Sequence, residues 1–397
     1  MKIYIVGVGM DGEKTLTNEA KNAIENADVL IGANRITEPF SALCKEIFSS
    51  WRAEEISDFL KGKNYENAAI LLSGDCGFFS AAEKMLYHFQ DDETEVICGI
   101  SAPIYFCSKI KKPWQNMKFI SLHGAENSII RHICENELCF FLLGGSVTPA
   151  EICRRLCTYN MGKTRVYIGE NLACKNEKIH VGEAGGFTSL ECGKLSVMVT
   201  ENPDFERGKM FGIPDEKFER GKVPMTKSEV RAVVISKLEI GGSSVCWDIG
   251  SGTGSVTVEM ALQCGFGAVY AIERSTEAAE LTRINCKKFG CDNVQIIAGE
   301  APEILEDLPA PERVFIGGSS GKIREIIDVI FRKNPRCKIV ATAVTLETVE
   351  ECREAFEAHG ISAPEITQIA VTRTERVGNH TMLRAENPVF IIKGARE

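Results

Sequence analysis

The chain has 16 cysteines, yet no two of them stand at the Cys-x-x-Cys spacing. The nearest pairs are Cys153 with Cys157, Cys134 with Cys139, and Cys286 with Cys291. That absence excludes a zinc ribbon and a cluster-binding run, which need thiolates at fixed short intervals. No signal peptide precedes the first apolar run, so a disulfide framework is not expected. The cysteines read as small buried hydrophobes in a reducing cytoplasm. No apolar stretch is long enough to cross a bilayer, and FFLLGG at 140–145 reads as a buried strand and its turn. Positive charge is not in excess either. The formal net charge is −9, so a nucleic-acid or membrane role needs a local basic patch. No cluster of basic and aromatic residues suited to base stacking stands out. No Ser-His-Asp set, no carboxylate pair and no metal-ligand spacing stands out.

What the chain does have is apolar residues in short, regular runs. Hydrophobic residues make up 44% of the 397 and charged residues 25%, enough for two or three packed domains. Strands alternate with helices: KIYIVGV, then TNEAKNAIENADVLIG, then AAILLSGD and EVICGI. We therefore expect an α/β fold in four stretches. Residues 1–111 and 112–202 form two subdomains, 203–224 is a linker and 225–397 is a last α/β domain. The linker is charged and contains FERGK at 205–209 and again at 218–222. In TKSEVRAVVISKLEI, Thr226 and Glu229 have the spacing of a capping box. The C-terminal stretch lacks a long helix and reads as paired strands.

Two glycine-rich turns carry the chemistry. GVGMDG at 7–12 has the dinucleotide-binding spacing, with Gly7, Gly9 and Gly12. That loop should open directly into a helix, but EKTLT intervenes and the helix starts near Thr17. Asp28 falls before a strand instead of at its end, so the match to an NAD site is poor. The second turn, DIGSGTGS at 248–255, places Gly250, Gly252 and Gly254 after Asp248, and the next strand ends in Glu273. Ser255 stands where the dinucleotide pattern needs glycine. Asp248 would repel pyrophosphate but suits an amino acid bearing a sulfonium. Glu273 can accept both hydroxyls of a ribose. S-adenosylmethionine (SAM) fits this strand–turn–helix–strand–acid order, and a tight turn with a buried capping acid is the alternative. Gly299, Glu300 and Ala301 follow the next strand and are placed at the adenine edge. Gly317, Gly318 and Ser319 lie where another strand reaches the site, on the substrate side.

The motifs together resemble known families. IVGVGMDGEKTLT, ADVLIGANR, SGDCGFFS, HGAENS, GGSVTPAEI and YIGENL resemble the tetrapyrrole (corrin/porphyrin) methylases, in the cobalt-precorrin-7 C5-methyltransferase branch. Over residues 210–392, GIPDEKFERGKVPMTKSEVRA, WDIGSGTGSVTVE, VYAIER, GEAP, RVFIGGSSG, AVTLET and AENPVFII resemble the decarboxylating cobalt-precorrin-6B C15-methyltransferases. Their order is that of the fused precorrin-6Y C5,15-methyltransferases. The resemblance implies a two-domain methylase fold followed by a Rossmann-like methyltransferase domain, with SAM as cofactor of both halves. It implies Gly74, Asp75, Phe78, Ser101, Ala102, Pro149 and Ala150 near SAM in the first half. Gly7, Gly9, Gly12 and His123 would face the tetrapyrrole. In the second half it implies Thr226, Asp248, Gly250, Gly252, Gly254, Glu273, Gly299, Glu300 and Ala301 for SAM. Gly317, Gly318 and Ser319 would border the substrate. Cys76 stands where these methylases often have proline, and Ser80 where they often have glycine.

No catalytic side chain is assigned, because an activated methyl and an enamine-like ring carbon need alignment more than a protein nucleophile. The resemblance further implies (cobalt-)precorrin-6B and (cobalt-)precorrin-7 as substrates and a homo-oligomer, tetrameric through the C-terminal domain. Neither nucleic acid nor membrane is an expected partner. Lys227, Arg231, Lys322, Arg324, Arg373, Arg376 and His380 are candidates for holding the substrate's carboxylate arms. The readings set beside this one are a pyridine-nucleotide oxidoreductase, an RNA or other small-molecule methyltransferase, and a noncatalytic scaffold.

Overall fold

The computed structural model describes residues 1–10, 14–43, 45–122, 128–144, 147–193, 195–205, 211–265 and 267–396. By packing it divides into two units: Met1–Ala125 with Asn136–Asp204, and Glu126–Glu135 with Phe205–Glu397.

The first unit holds two five-stranded sheets. One is built from β1 (Lys2–Gly7), β2 (Val29–Gly32), β3 (Glu46–Ser49), β4 (Asn67–Leu72) and β5 (Glu93–Ile97). Its order is β3-β2-β4-β1-β5 and every pairing is parallel. A parallel sheet is covered on both faces, so its central strands are apolar throughout instead of alternating. β2 is VLIG and is buried at all four positions. The helices between these strands are α1 (Asn18–Asn26), α2 (Asn34–Thr37), α3 (Ala53–Leu60) and α4 (Ala82–His88), with α5 (Ala102–Ile110) following β5. Thr17 caps α1 through the Ala20 amide, as its position before the helix predicts.

The second sheet takes β6 (Lys118–Ser121), β7 (Leu138–Leu142), β8 (Arg165–Glu170), β9 (Lys178–Glu183) and β10 (Ser196–Glu201), in the order β6-β7-β10-β8-β9. Only β6 and β7 pair in parallel. The helix α6 (Ile129–Glu135) lies between β6 and β7 in sequence, and α7 (Pro149–Thr158) follows β7. Thr148 caps α7 at the Glu151 amide.

The second unit is a seven-stranded sheet in the order β13-β12-β11-β14-β15-β19-β16. Its strands are β11 (Val245–Ile249), β12 (Ala268–Glu273), β13 (Val294–Ala298), β14 (Arg313–Ile316), β15 (Lys338–Ala343), β16 (Glu365–Ile369) and, after a hairpin, β19 (Val389–Gly394). The first five are parallel, and β19 enters antiparallel between β15 and β16. The helices are α8 (Ser228–Leu238), α9 (Ser255–Gln263), α10 (Thr276–Lys288), α11 (Ile323–Lys333) and α12 (Leu346–Ala358). The period of two decides the layering. Trp247, Ile249, Val314 and Ile316 face one core with Phe331 and Phe356. Cys246 and Phe315 face the other with Val234 and Met260. The hairpin of β17 (Thr372–Val377) and β18 (His380–Ala385) pairs only with itself and is exposed at every position.

Two segments lie where local sequence did not put them. The expected linker 203–224 is packed structure beyond residue 210: Ile213 and Phe218 are buried in the second unit's core. The helix α6 belongs with the second unit although the residues flanking it belong to the first. Asp292 Oδ2 accepts the Ile130 amide at 3.0 Å, at the end of α6 where helix N–H groups lack internal partners. In the other direction, Arg131 Nη1 donates to the Ala261 carbonyl at 3.0 Å, near the end of α9. Gly290 (φ +65°) lets the turn after α10 approach, since a side chain there would meet Cys134 Sγ at 3.0 Å. Replacing Arg131 by Met should destabilise the full chain by about 1–3 kcal/mol, because a buried acceptor loses its charged donor. Urea denaturation measures the loss, and an unchanged midpoint would show that α6 does not depend on this bond.

Candidate functional site

In the first unit, three strand ends meet through glycine. β1 lies between β4 and β5, and Gly7, Gly74 and Gly99 sit at or just past their C-terminal ends. A side chain on Gly7 would lie 2.8 Å from both the Gly74 carbonyl oxygen and the Gly99 nitrogen. One on Gly99 would lie 2.2 Å from that same oxygen. Backbone therefore packs directly on backbone, which only glycine permits. Gly9 and Gly74 bridge the loops with paired bonds of 3.1 and 2.7 Å. Asp75 stitches them further: Oδ1 accepts the Gly77 amide at 2.8 Å and Oδ2 the Gly99 amide at 3.0 Å. Gly99 is a member that the sequence reading did not single out. Its signal is the glycine in CGIS, two residues past a strand end, as Gly74 is.

The other predicted residues of this half surround the junction's elements. Ser101 is buried just ahead of α5, and Ala102 is that helix's first residue. Phe78 stands edge-on to Phe119 at 5.5 Å and to Phe140 at 6.0 Å, joining the β4 loop to the second sheet's core. Pro149 and Ala150 open α7 and are buried. Gly12 and His123 lie outside the described residues. The two departures are absorbed locally. Cys76 is buried, its thiol 3.4 Å from the Ile97 carbonyl and pushed up to about 12 by burial. Ser80 donates to the Cys76 carbonyl at 2.7 Å and accepts the amide of Ala82, the first residue of α4, at 3.0 Å.

In the second unit, the ends of β11, β12, β13 and β14 open on a cavity of about 770 Å³. Gly250, Gly252, Glu273, Gly299, Glu300, Ala301, Gly317, Gly318 and Ser319 line it, as does Thr226. The glycines of the turn all have positive φ, and each faces a different neighbour. A side chain on Gly250 would lie 2.8 Å from the Gly318 nitrogen, one on Gly252 3.3 Å from the Pro224 carbonyl oxygen, and one on Gly254 2.8 Å from the Thr282 Cα. They are required by protein packed around the turn, while the turn's other side faces the cavity. Glu273 is nearly buried, and its two oxygens accept the Gly252 and Ser275 amides, each at 2.9 Å. Each oxygen keeps a lone pair for a further donor.

Several expectations are corrected. Asp248 does not line the cavity; it is wholly buried beneath the turn. Thr257 Oγ1 donates to its Oδ2, and Oδ1 has no bonded partner among the described residues. Burial pushes its carboxyl up to about 7, with the Thr257 bond opposing and the Glu273 charge adding. Gly254 is not on the lining either; it precedes α9 and lets α10 approach. Thr226 does not cap α8, because it stands one residue ahead of the N-cap position, Lys227; its carbonyl serves Arg231, and Glu229 bonds Ser228 and Arg373. The helix instead starts after Lys227 with no side-chain cap.

The candidate cations fare unevenly. Arg231 is fully buried and paired with Glu259, so it is not a surface group awaiting a carboxylate. Lys322 is paired with Glu303 at 2.8 Å, Arg324 with Glu354 at 2.7 Å and Arg373 with Glu386 at 2.9 Å. Arg376 and His380 are exposed on the hairpin. Lys227 lines the cavity. The cavity also takes Val344, Val371 and Asn387, which the sequence reading did not assign. Asn387 stands in AENPVFII, a signature whose individual residues had no role until β19 placed them beside β15.

A cavity at the carboxyl ends of parallel strands, a glycine turn and an acid ending the next strand define an α/β methyltransferase domain that uses SAM. Residues 216–396 match the model of the precorrin methyltransferase domain, and residues 2–187 match the tetrapyrrole (corrin/porphyrin) methylases. A probable cobalt-precorrin-6B C(15)-methyltransferase (decarboxylating) of Pyrobaculum calidifontis is 46% identical over 184 residues, 46% of this chain and 94% of that protein. Its counterpart in Saccharolobus solfataricus is 44% identical over 190 residues, 47% and 96% of the two chains. The solved precorrin-6Y C5,15-methyltransferase of Geobacter metallireducens is 40% identical, covering 48% of this chain and 100% of its own, with a TM-score of 0.45. The chain belongs to the precorrin methyltransferases, with a tetrapyrrole methylase half ahead of a precorrin methyltransferase half.

The raised Asp248 carboxyl makes stability depend on pH. A folded value of about 7 exceeds the ordinary 3.8, so this group's contribution is full below the ordinary value and is lost as pH rises through the folded one. Asp248→Asn, which cannot titrate, should therefore gain on the parent from about pH 5 to about pH 8 in urea denaturation. Parallel profiles for the two proteins would refute the assignment.

Proposed function

We propose that the chain carries out two SAM-dependent methylations of (cobalt-)precorrin, at C5 in the first half and at C15 in the second. The second is accompanied by loss of carbon dioxide from the ring C acetate. The observation that carries this reading is the second unit's cavity, where Glu273 and the Gly250–Thr253 turn face Gly317–Ser319 across one space. The relatives matching this unit are decarboxylating C15-methyltransferases by name, and the first half matches the tetrapyrrole methylases.

When bound, SAM supplies a methyl group activated by its sulfonium leaving group. The chain's own residues align and enclose. Glu273 accepts the ribose hydroxyls on its remaining lone pairs while its backbone bonds keep it still. Gly299–Ala301 border the adenine, and Thr226 closes the cavity from the segment that leads into α8. Gly318, beside which a side chain would meet nothing within 4 Å, leaves room for substrate against the backbone. Phe315, Val344, Val371 and Val389 give the cavity an apolar side. An apolar wall favours decarboxylation, because a carboxylate's concentrated charge is disfavoured there relative to a spread one. Lys227 is placed to hold one of the other carboxylate arms. In the first half, Gly74, Phe78, Ser101, Ala102, Pro149 and Ala150 are proposed around SAM. Asp75 acts there by fixing the loops, since both its oxygens already accept amides. Gly7, Gly9, Gly12 and His123 are proposed on the tetrapyrrole side.

A homo-oligomer, tetrameric through the second unit, belongs to the same proposal. Its support is the hairpin, where Val377, Met382 and Leu383 stand 53%, 54% and 76% exposed. Among the described residues no helix is long and apolar enough to cross a membrane.

Anaerobic incubation with SAM and cobalt-precorrin-6B, followed by mass spectrometry, tests the reaction. We expect two added methyl groups and one lost carbon dioxide; no mass change with either the cobalt or the metal-free substrate would overturn it. Glu273→Ala should abolish C15 methylation and decarboxylation while sparing the other methylation. Met382→Lys with Leu383→Lys should shift the mass by light scattering from tetramer to monomer, and an unchanged mass would remove the hairpin from the interface.

A further inference from the structure

The cavity of the second unit has one wall that does not come from its sheet. Residues 222–227 of the strap leading into α8 line it, crossing beside the glycine turn with the Pro224 carbonyl next to Gly252. This strap is charged and nearly devoid of regular structure, so something must hold it. Two buried polar groups do.

The first is Arg231 on α8, with Glu259 on α9, both fully buried. Glu259 accepts Arg231 Nε at 2.6 Å and also the amides of Gly212 and Ile213, each at 3.0 Å. The Arg231 guanidinium then reaches both ends of the strap. Its Nη2 donates to the Ile213 carbonyl and its Nη1 to the Thr226 carbonyl at 2.6 Å, with Asp215 at 3.3 Å. The guanidinium also lies 4.7 Å from the Phe218 ring centre. The second group is Asn285 on α10, likewise buried. It accepts the Glu219 amide at 2.9 Å and donates to the carbonyls of Glu219 and Thr253, each at 2.8 Å. It thus ties the middle of the strap to the glycine turn itself.

We propose that Arg231 and Glu259 are positioning residues that hold the strap over the glycine turn and so set the affinity of this cavity for SAM. The inference rests on the reading of that cavity as the SAM site. Stability alone is a poor reason for such a pair. Removing two charges from water is expensive, and well-packed apolar residues often do as well or better. What an apolar pair cannot do is bond Ile213 and Thr226 at once. The planar fork of arginine can, because its donors are spread over three nitrogens; the donors of lysine radiate from one atom and do not span Glu259, Ile213 and Thr226 together.

Arg231→Lys in the full chain is the test, because it keeps a positive charge opposite Glu259 while losing the fork. SAM binding is followed by calorimetry, KM and kcat by turnover, and the strap by hydrogen exchange. We expect the SAM dissociation constant of the second unit to rise about tenfold, with the loss falling on KM for SAM rather than on kcat. Exchange should speed up over 211–227 and stay unchanged in β11 and β14. Faster strap exchange with unaltered SAM affinity would overturn the proposal, as would an unaltered strap. Asp215→Asn, at the rim of the cluster, should move the same two readouts in the same direction by less. If Arg231→Lys does not fold, Asp215→Asn decides, and no change in either readout overturns the proposal. Glu273→Ala separates this inference from its premise. If that variant also leaves SAM binding intact, the reading of the cavity fails. If it removes a site while Arg231→Lys changes nothing, only the positioning role fails.

Discussion

The structure depends on backbone packing against backbone at the carboxyl ends of parallel strands. In the second unit a side chain on Gly250 would lie 2.8 Å from the nitrogen of Gly318, and one on Gly317 3.2 Å from the Gly250 carbonyl oxygen, so the turns after β11 and β14 meet there because position 250 is glycine. In the first unit Gly7 and Gly99, both closed against the Gly74 carbonyl oxygen, impose the same condition on β1, β4 and β5. Adjacent parallel strands end side by side, and loops leaving neighbouring strands must diverge or interlock there. Interlocking keeps the loops fixed and presents amides and small residues on the open side. A ligand can then be held by groups that need not reorganise when it arrives.

That constraint explains the economy of charge around the second cavity. Glu273 and Asp248 lie close together, but their surroundings separate their roles. Glu273 accepts two amides at the edge of the cavity, whereas Asp248 is sealed beneath the turn with its carboxyl pushed up to about 7. Two carboxylates placed in different environments divide in this way into an acceptor at the cavity's edge and a structural group bonded to Thr257 in the interior. Most of the nearby cations are matched to carboxylates of the chain itself. Their geometry serves the loops: Lys322 meets Glu303, and Arg373 joins Glu229 at the start of α8 to Glu386 beyond the hairpin.

Much of the fold was legible in the sequence because its signals are local. Apolar runs marked β1, β4, β7 and β11, Thr17 and Thr148 marked helix starts, and the glycine spacing followed by Glu273 marked the second turn. What was hidden depends on distant partners. Arg231 reads locally as a surface cation on a helix, and only Glu259, 28 positions away, makes it a buried one. The capping box at Thr226 and Glu229 has the right spacing, but α8 starts one residue later than the box requires and Glu229 pairs with Arg373. The stretch 203–224 reads as linker because its charge masks the two residues that anchor it, Ile213 and Phe218. The placement of α6 was hidden for the same reason: Arg131, His132 and Glu135 make it read as a part-polar helix, yet Ile129 through Ile133 are all buried.

We propose that each glycine junction holds its own SAM within one chain. A crystal structure of the full chain grown with S-adenosylhomocysteine should then show density for one molecule against Gly250–Thr253 and Glu273, and for a second beside Gly74 and Ser101. Density at neither junction, or at the second unit alone under saturating ligand, would contradict it.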